Sequence, residues 1–219
     1  MIKEAYFTPA TLAAKARDIL ASAGSFRRGG GEVRFRPDRA ALLALDMQAF
    51  FLRESSHAFI PGAAAILPGL KRLTRAFRRL GRPVVFTRHT NTPADAGRMS
   101  AWWKDLLAPD SPDSEIVPEL EAAKAIVVEK HQYDAFHGTE LERILRAKDV
   151  EEVVVTGLMT HLCCETTARS AFVRGFSVFF AVDGTATYTE AFHRAAVLNL
   201  AHGFASPVLV EGILDACLR

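Results

Sequence analysis

Six short apolar segments alternate along the chain with amphipathic segments, and this alternation constrains the fold more than any other feature of the sequence. The apolar segments span residues 40–46, 83–88, 125–129, 152–157, 177–182 and 207–210. Continuous apolar runs of this length are typical of strands that are covered on both faces. Because strands and helices alternate, the strands are expected to be parallel, with helices on both faces of one sheet. The sequence therefore predicts a three-layer α/β/α sandwich.

Two features of the connecting segments lead to further expectations. Thr139 with Glu142, and Thr187 with Glu190, have the spacing of capping boxes and predict that helices begin there. Residues 89–118 contain several prolines, two tryptophans and little periodicity. This segment is expected to be a long surface loop that serves as a lid, a binding loop or a subunit contact.

Composition narrows the class of protein. The chain has 219 residues, 49% of them hydrophobic and 24% charged, as in an ordinary globular domain. A net charge of +2 gives no basis for nucleic-acid binding. No apolar run is long enough to span a membrane, and the first ten residues lack the apolar core of a secretory signal. The three cysteines do not suggest a disulfide framework, so a reduced cytoplasmic protein is expected.

The N-terminal part of the chain is expected to be separate from the main domain. Residues 1–35 are interpreted as a helical extension, in which Thr8 can cap the first helix and Pro9 suits its first position. Residues 25–31, with the sequence SFRRGGG, are expected to be a flexible link. Residues 36–219 are then the main domain.

Three reactive residues stand at the ends of three predicted strands. Asp46 closes the first strand, Lys130 follows the third, and Cys163 lies shortly after the fourth, near the start of a helix. In parallel sheets the ligand site lies outside the carboxyl ends of the strands. The three residues are therefore expected at one edge of the sheet, where a carboxylate, an ammonium and a helix start can together activate a thiol.

Taken one at a time, these residues also have ordinary structural interpretations. A cysteine is most often an inert core residue. An aspartate at a strand end is often a turn former, and a lysine after a strand is usually solvated. It is the shared location of Asp46, Lys130 and Cys163 that favours a catalytic interpretation.

Three segments resemble the isochorismatase-like hydrolases. Residues 153–171 (VVVTGLMTHLCCETTARSA) resemble the nucleophile turn of that family, residues 42–51 (LLALDMQAFF) its first-strand Asp-x-Gln motif, and residues 126–138 (IVVEKHQYDAFHG) its lysine motif. The resemblance extends from about residue 36 to the C-terminus. It implies a six-stranded sheet of order 3-2-1-4-5-6. Because members of the family commonly form dimers or larger homo-oligomers, a homo-oligomer is expected as well.

The resemblance also implies roles for individual residues. Asp46, Lys130 and Cys163 correspond to the family's catalytic triad. A cis peptide bond is expected at Leu158–Met159, and the backbone amides of Met159 and Cys163 are expected to form the oxyanion hole. Cys164 corresponds to a packing residue.

Two departures from the family pattern bear on the chemistry. Nicotinamidases of this family bind a metal through an Asp-x-His and a further His after the second strand. Here residues 88–91 read Arg-His-Thr-Asn, so no metal and no cofactor are expected, and nicotinamidase activity is disfavoured. True isochorismatases have Gly where this chain has Cys163 and cleave a vinyl ether without a thiol, so that reaction is disfavoured as well.

The expected substrate-binding residues lie in the Asp46 motif, the long loop, the lysine motif and the nucleophile turn. They are Gln48, His89, Asn91, Trp102, Trp103, Tyr133, Phe136 and His161. The tryptophans are equally consistent with loop packing or a subunit contact. Tyr133 and Phe136 are consistent with packing, and His161 with a structural role.

Three hypotheses about function follow. The first is a cysteine hydrolase that cleaves a small-molecule amide or related C–N bond through a thioester. The second is a vinyl-ether hydrolase that uses Asp46 and Lys130 without covalent catalysis. The third is a catalytically silent binding domain. In all three the expected partners are a small molecule and further copies of the chain, in a dimer or tetramer, and neither nucleic acid nor a membrane.

Overall fold

The most apolar of the predicted strands lies at the centre of the sheet. In the computed structural model, which describes residues 2–26 and 34–218, strand β1 (Ala40–Leu45) is buried at all of its positions. This is the pattern expected of a strand covered by helices on both faces. The remaining strands are β2 (Val84–His89), β3 (Ile126–Lys130), β4 (Glu152–Leu158), β5 (Ser177–Ala186) and β6 (Ser206–Val208).

The sheet has the order β3-β2-β1-β4-β5-β6, and all neighbouring strands are parallel. This confirms both the three-layer α/β/α fold and the strand order. The chain runs outward from β1 through β2 to β3, then returns to the other side of β1 with β4. Ligand sites in open parallel sheets lie at such a switch point, outside the carboxyl ends of the strands. The reactive residues, which close β3 or follow β1 and β4, are therefore at the edge that this topology marks.

Eight α-helices are present in the described part of the chain, and they cover both faces of the sheet. They are α1 (Leu12–Gly24), α2 (Ala49–Leu52), α3 (Ala63–Arg79), α4 (Met99–Trp102), α5 (Leu141–Arg146), α6 (Glu165–Val173), α7 (Glu190–Gly203) and α8 (Val210–Cys217). Helix α4 and short 3₁₀ turns lie within the predicted loop 89–118, which joins β2 to β3. None of these described helices has the length and apolarity needed to cross a membrane.

Both capping boxes predicted from sequence are wrong. Helix α7 begins after Thr189, whose hydroxyl accepts a hydrogen bond from the Phe192 amide. Thr187 follows β5, which extends four residues beyond the predicted 177–182, to Ala186. The Thr139 hydroxyl donates to the Ala135 carbonyl and accepts from the Leu141 amide, before α5 starts. The longer strand β5 moves the start of α7 beyond Thr187. The turn formed by Thr139 moves the start of α5 to Leu141.

The N-terminal segment packs against the body of the fold. Phe7 is buried, and the Tyr6 hydroxyl contacts His193 of α7 at 2.9 Å and accepts a hydrogen bond from the Thr187 amide at 3.0 Å. The Glu4 amide donates to the carbonyl of Tyr188. Most of the expected link at 25–31 lies outside the described residues, and the domain boundary near residue 35 stays a prediction.

Gly157 lets the chain pass closely beside β1. Its φ is +107°, and a Cβ atom at this position would lie 2.1 Å from the carbonyl oxygen of Leu45. Only glycine fits such a contact. The peptide bond that follows, Leu158–Met159, is cis, as expected. A π-helical turn (Thr160–Cys164) then leads directly into α6 and carries Cys163.

Candidate active site

The carboxylate, the ammonium and the thiol meet at the carboxyl edge of the sheet. The Nζ atom of Lys130 lies 2.8 Å from Oδ2 of Asp46 and 3.3 Å from Sγ of Cys163. Asp46 and Lys130 are fully buried and Cys163 is 6% exposed. Three residues separated by up to 117 positions are thus brought into direct contact, because their strands end side by side.

The backbone around Asp46 fixes the direction of its carboxylate. Asp46 has a φ of +50°, a left-handed conformation that is uncommon outside glycine. The Thr87 hydroxyl accepts from the Asp46 amide at 3.0 Å and donates to Oδ1 at 2.6 Å. Since Oδ1 is bound by Thr87, Oδ2 is the oxygen that faces Lys130.

Gln48 holds two neighbouring segments together. Its Nε2 atom donates to the carbonyls of His89 and Ser114, at 2.9 and 2.8 Å, and its Oε1 atom accepts from the His89 amide at 2.9 Å. Gln48 is fully buried and does not line the cavity described below. Gln48 was expected to contact substrate. In the structure, the described hydrogen bonds of its side chain all go to backbone groups.

The buried environment sets the protonation of the three reactive groups. Burial opposes ionisation of Asp46, but the charge of Lys130, the His89 ring and hydrogen bonds with Cys163 and Lys130 together hold the pKa of the carboxyl below its ordinary value. Burial likewise disfavours the charged form of Lys130, yet Asp46 and Cys163 raise the pKa of the ammonium. Burial raises the pKa of Cys163 to about 12 despite Lys130. The resting site therefore holds an ion pair and a neutral thiol.

A chain of hydrogen bonds leads from Lys130 to the protein surface. Nδ2 of Asn91 lies 3.0 Å from Oδ1 of Asp95 and 3.0 Å from the His131 carbonyl, two groups that only accept. This fixes Oδ1 of Asn91 as the acceptor from Nε2 of His89, at 2.9 Å. The remaining ring nitrogen of His89, Nδ1, then presents its lone pair to Nζ of Lys130 at 3.3 Å.

His89 is held neutral in this chain. Burial, and then the nearby Lys130 ammonium, lower the pKa of its imidazole to about 4. Bonds from the Thr92 and Asn91 side chains lower the pKa of Asp95 to about 2, so the far end of the chain is a carboxylate. Sequence analysis selected His89 and Asn91 but missed their connection to Asp95, because nothing in the spacing shows which way an amide side chain faces.

The residues at 88–91 do not fit a metal site. Both ring nitrogens of His89 are engaged, and the ammonium of Lys130 beside it would repel a cation. In residues 2–26 and 34–218 there is no group of three or more His, Cys, Asp or Glu side chains arranged to hold a metal ion. No catalytic step is therefore assigned to a metal.

A cavity of about 250 Å³ opens at this edge of the sheet, with Cys163 and Met159 in its wall. Four of the expected substrate-binding residues line it: His89, Asn91, Trp103 and Tyr133. The Trp103 indole donates to the Tyr133 hydroxyl at 2.8 Å, which joins the long loop to the lysine motif. The remaining lining residues are Lys3, Phe50, Phe51, His57, Ala58, Met99, Lys104, Asp105, Leu106, Leu107 and Tyr188.

Besides Gln48, three expected substrate contacts do not line this cavity. Trp102 is 78% exposed. Phe136 is buried and stacks on Phe176. His161 stacks on Phe192 and its Nδ1 atom contacts the Thr187 hydroxyl. They lie at surface and packing positions, because adjacency in sequence to a reactive residue does not fix which face of a turn a side chain occupies.

Lys3 and Tyr188 are cavity residues that sequence analysis missed. They come from the N-terminal segment and from the turn after β5, far along the chain from the reactive residues. No sequence motif marked either one. The N-terminal segment is thus part of the candidate site, and not only an extension of the fold.

His193 supports the nucleophile turn from behind. Its Nδ1 atom lies 2.9 Å from the Tyr6 hydroxyl and 3.2 Å from the hydroxyl of Thr160, the first residue of the turn. Because the Tyr6 oxygen already accepts from a backbone amide, its proton is available to donate to Nδ1. Burial, and then Arg194, lower the pKa of His193 to about 3.

These buried histidines lead to a prediction about acid stability. The imidazoles of His89 and His193 have pKa values of about 4 and 3 when folded, against 6.5 ordinarily. Below about pH 6.5 the unfolded chain therefore binds more protons than the folded chain, so the free energy of unfolding falls as pH falls toward about 4. We expect a slope of roughly 1.4 kcal/mol per pH unit from each histidine, measured by urea titration between pH 6 and pH 4.5.

A pair of variants isolates one of the two contributions. His193→Gln removes one titrating group and is expected to reduce that slope by roughly 1.4 kcal/mol per pH unit. His202→Gln replaces an exposed histidine on the same helix and serves as the matched control for the substitution itself. Equal slopes for all three proteins would contradict the assignment of a neutral His193.

Comparison with known proteins gives a consistent set of matches. The family model described as Isochorismatase domain matches residues 40–211. The chain is 44% identical over 171 residues to Nicotinamidase 3 of Arabidopsis thaliana, with 76% of this chain and 82% of that protein covered. It is 29% identical over 185 residues to Isochorismatase of Bacillus subtilis, with 82% of this chain covered but only 58% of that protein.

A solved structure agrees with these matches. The crystal structure of a cysteine hydrolase from Pseudomonas syringae pv. phaseolicola is similar to this chain with a TM-score of 0.82 at 27% identity, covering 87% of this chain and 99% of the other. The range matched by the family model contains Asp46, Lys130 and Cys163, and it leaves out Lys3 and the rest of the N-terminal segment.

Proposed function

The chain belongs to the isochorismatase family of hydrolases, and we propose that it is a cysteine amidohydrolase that cleaves a small-molecule amide through a thioester on Cys163. One observation carries the proposal. A buried ammonium, Lys130, contacts both a carboxylate and a thiol, and that thiol lines an apolar cavity. An acid–base group and a nucleophile are thereby held together where a small amide can reach them.

In the first step the Cys163 sulfur attacks the amide carbonyl carbon while its proton passes to the Asp46 carboxylate. Because the pKa of the thiol is about 12 and that of Asp46 is below its ordinary value, a free thiolate is not populated at neutral pH. The proton therefore leaves as the C–S bond forms. The Lys130 ammonium, 3.3 Å from the sulfur, stabilises the negative charge that develops there.

Two backbone amides are proposed to hold the oxyanion of the tetrahedral intermediate. The amides of Met159 and Cys163 both belong to the turn that lines the cavity. The turn is held rigid because the Met159 carbonyl accepts from the amides of Leu162 and Cys164. Fixed donors of this kind stabilise an oxyanion without having to reorient during the reaction.

The second half of the reaction reuses Asp46. As the intermediate collapses, the C–N bond breaks and Asp46 returns its proton to the leaving nitrogen, which departs as ammonia or an amine. A water molecule then attacks the thioester and gives its proton to Asp46. The C–S bond breaks, the acid leaves, and the sulfur of Cys163 regains a proton.

Nicotinamide is the first amide to test. The relative at 44% identity is named a nicotinamidase, and an aromatic amide suits a cavity lined by Phe50, Trp103 and Tyr133. The absence of the Asp-x-His pair at residues 88–91 argues against metal-dependent hydrolysis. It does not argue against nicotinamide as the substrate.

The alternative is vinyl-ether hydrolysis of the isochorismatase type. One relative carries that name, although the chain spans only 58% of its length. Cys163 disfavours this alternative, because that reaction uses no thiol nucleophile. The two functions differ in whether a covalent adduct forms.

The proposal is tested by rapid acid quenching during turnover of nicotinamide and other small amides, followed by intact-mass measurement and peptide mapping. We expect release of ammonia or amine together with an acyl adduct on Cys163. Iodoacetamide labelling of Cys163 should block both. Cleavage of a vinyl ether by a chain that hydrolyses no amide and forms no adduct would contradict the proposal.

Two further expectations concern the setting of the enzyme. We propose a homo-oligomer, a dimer or tetramer, and the exposed apolar side chains of Phe172 and Val173 at the end of α6 support a subunit contact there. A reducing, cytoplasmic location is supported by the free state of all three cysteines.

A further inference from the structure

We propose that Lys3 forms an anion subsite in the cavity, and that the substrate of this hydrolase carries a carboxylate in addition to its scissile amide. The inference rests on the proposed amidohydrolase function and narrows its substrate class. It assigns a recognition role to the N-terminal segment, which lies outside the range that the family model matches.

Lys3 is held in a defined position at the cavity wall. Its Nζ atom donates to the His57 carbonyl at 2.6 Å and lies 4.9 Å from the centre of the Tyr188 ring. The backbone beside it is fixed as well, because the Glu4 amide donates to the Tyr188 carbonyl at 2.8 Å. The ammonium is therefore pre-positioned, and two of its three N–H donors have no acceptor among the residues that the structure describes.

Lys3 is the cavity cation that has no carboxylate partner within the described chain. The cavity has one acidic residue, Asp105, which lies 3.9 Å from the Lys104 ammonium and 3.4 Å from the His57 ring. No ion pair is formed by Lys3 among residues 2–26 and 34–218. The wall of the cavity thus presents one uncompensated positive charge.

The surroundings of this charge favour an anionic ligand. Most of the cavity lining is aromatic or aliphatic, and burial lowers the pKa of Lys3. A carboxylate that docks on the ammonium would form a charge-assisted hydrogen bond with it. With its amide at Cys163 and its carboxylate at Lys3, the substrate is a monoamide of a small dicarboxylic acid or a related carboxylate-bearing amide.

The test compares two substrates that differ only in charge, a dicarboxylic acid monoamide such as succinamate and the neutral butyramide, with nicotinamide as an aromatic neutral amide. The Lys3→Met variant keeps most of the side-chain stem and removes the charge. We expect it to raise KM for succinamate by about 10- to 100-fold, with kcat changed by less than about threefold. Neutral amides are expected to lose less than about threefold in kcat/KM.

The control variant is Lys15→Met, in the same N-terminal region. Lys15 is bonded to Glu190 and does not line the cavity, so its loss is expected to leave the preference for succinamate over butyramide unchanged. If Lys3 only anchors the N-terminal segment, Lys3→Met will reduce kcat/KM for charged and neutral amides alike. That result, or a wild-type enzyme that prefers butyramide, would overturn the subsite.

A binding measurement separates this inference from the proposed function. The product dicarboxylate, succinate, is titrated into wild-type protein and into Lys3→Met by calorimetry, which requires no turnover. We expect the variant to bind at least about tenfold more weakly. Equal affinity, or no binding to the wild type, overturns the subsite whether or not amides are hydrolysed. If the wild-type protein binds succinate but hydrolyses no amide, the amidohydrolase proposal is contradicted and the subsite is not.

Discussion

Replacement of Cys163 with alanine is expected to lower kcat for amide hydrolysis by at least about 10⁴-fold, because the variant has no atom that can form the thioester. The effect on folding should be small, since the thiol is buried but contributes few atoms to the core. The measurement is ammonia release under saturating amide, together with the intact mass of acid-quenched protein, which should show no acyl adduct.

The neighbouring cysteine provides a matched control. Cys164 is fully buried, its Sγ atom faces the Thr156 carbonyl at 3.8 Å, and it does not line the cavity. Cys164→Ala is therefore expected to keep kcat within about threefold while losing some stability as a core truncation. Full activity in Cys163→Ala would remove the thioester mechanism and favour catalysis by Asp46 and Lys130 without covalent bonding.

Replacement of Lys130 with methionine is expected to impair both stability and catalysis. Asp46 is fully buried and would lose its ammonium partner at 2.8 Å, which typically costs about 3–5 kcal/mol for a buried pair. The variant also loses the charge that stabilises the reacting sulfur, so kcat should fall by about 10³-fold. Urea unfolding at pH 7 and steady-state amide hydrolysis measure the two effects.

A double variant separates the two roles of Lys130. Asp46→Asn combined with Lys130→Met leaves no unpaired charge, so most of the lost stability is expected to return while kcat does not recover. Lys124→Met is the control, since Lys124 is exposed and pairs with Glu121 at the surface. If the double variant is no more stable than Lys130→Met, the cost does not come from an unpaired Asp46.

Hydrophobic patterning was enough to locate the strands of a parallel sheet, because each strand contains or adjoins a short apolar run. The strand order followed from the family resemblance. Strand ends and helix starts were predicted less well. Thr187 has the composition of a cap but lies beyond a strand that runs to Ala186, and the start of α7 is set by Thr189. Local preferences are weak there compared with the hydrogen bonds that β5 gains from its neighbours.

The residues of the candidate site also fall into a group that the sequence located well and a group that it located less well. The locations of Asp46, Lys130 and Cys163 were predictable because each lies at or shortly after the end of a strand, and parallel topology brings strand ends together. The cavity wall was predictable only in part, because it depends on side-chain direction in irregular segments. Phe136 packs against Phe176. Lys3 lines the cavity but belongs to the N-terminal segment, whose position does not follow from the order of the strands.

The surroundings of Lys130 have a consequence for the energy of the reaction itself. Its ammonium has three protons, but four acceptors lie within 3.3 Å: Asp46 Oδ2, the Gln132 carbonyl, His89 Nδ1 and Cys163 Sγ. At any moment one of these four atoms therefore has no hydrogen bond of its own from the ammonium. In the proposed attack the sulfur of Cys163 turns from a weak acceptor into a strong one. A small rotation of the Lys130 ammonium would then move a hydrogen bond from the neutral His89 ring to the sulfur. No heavy atom has to move, so the site meets the new charge with little reorganisation energy.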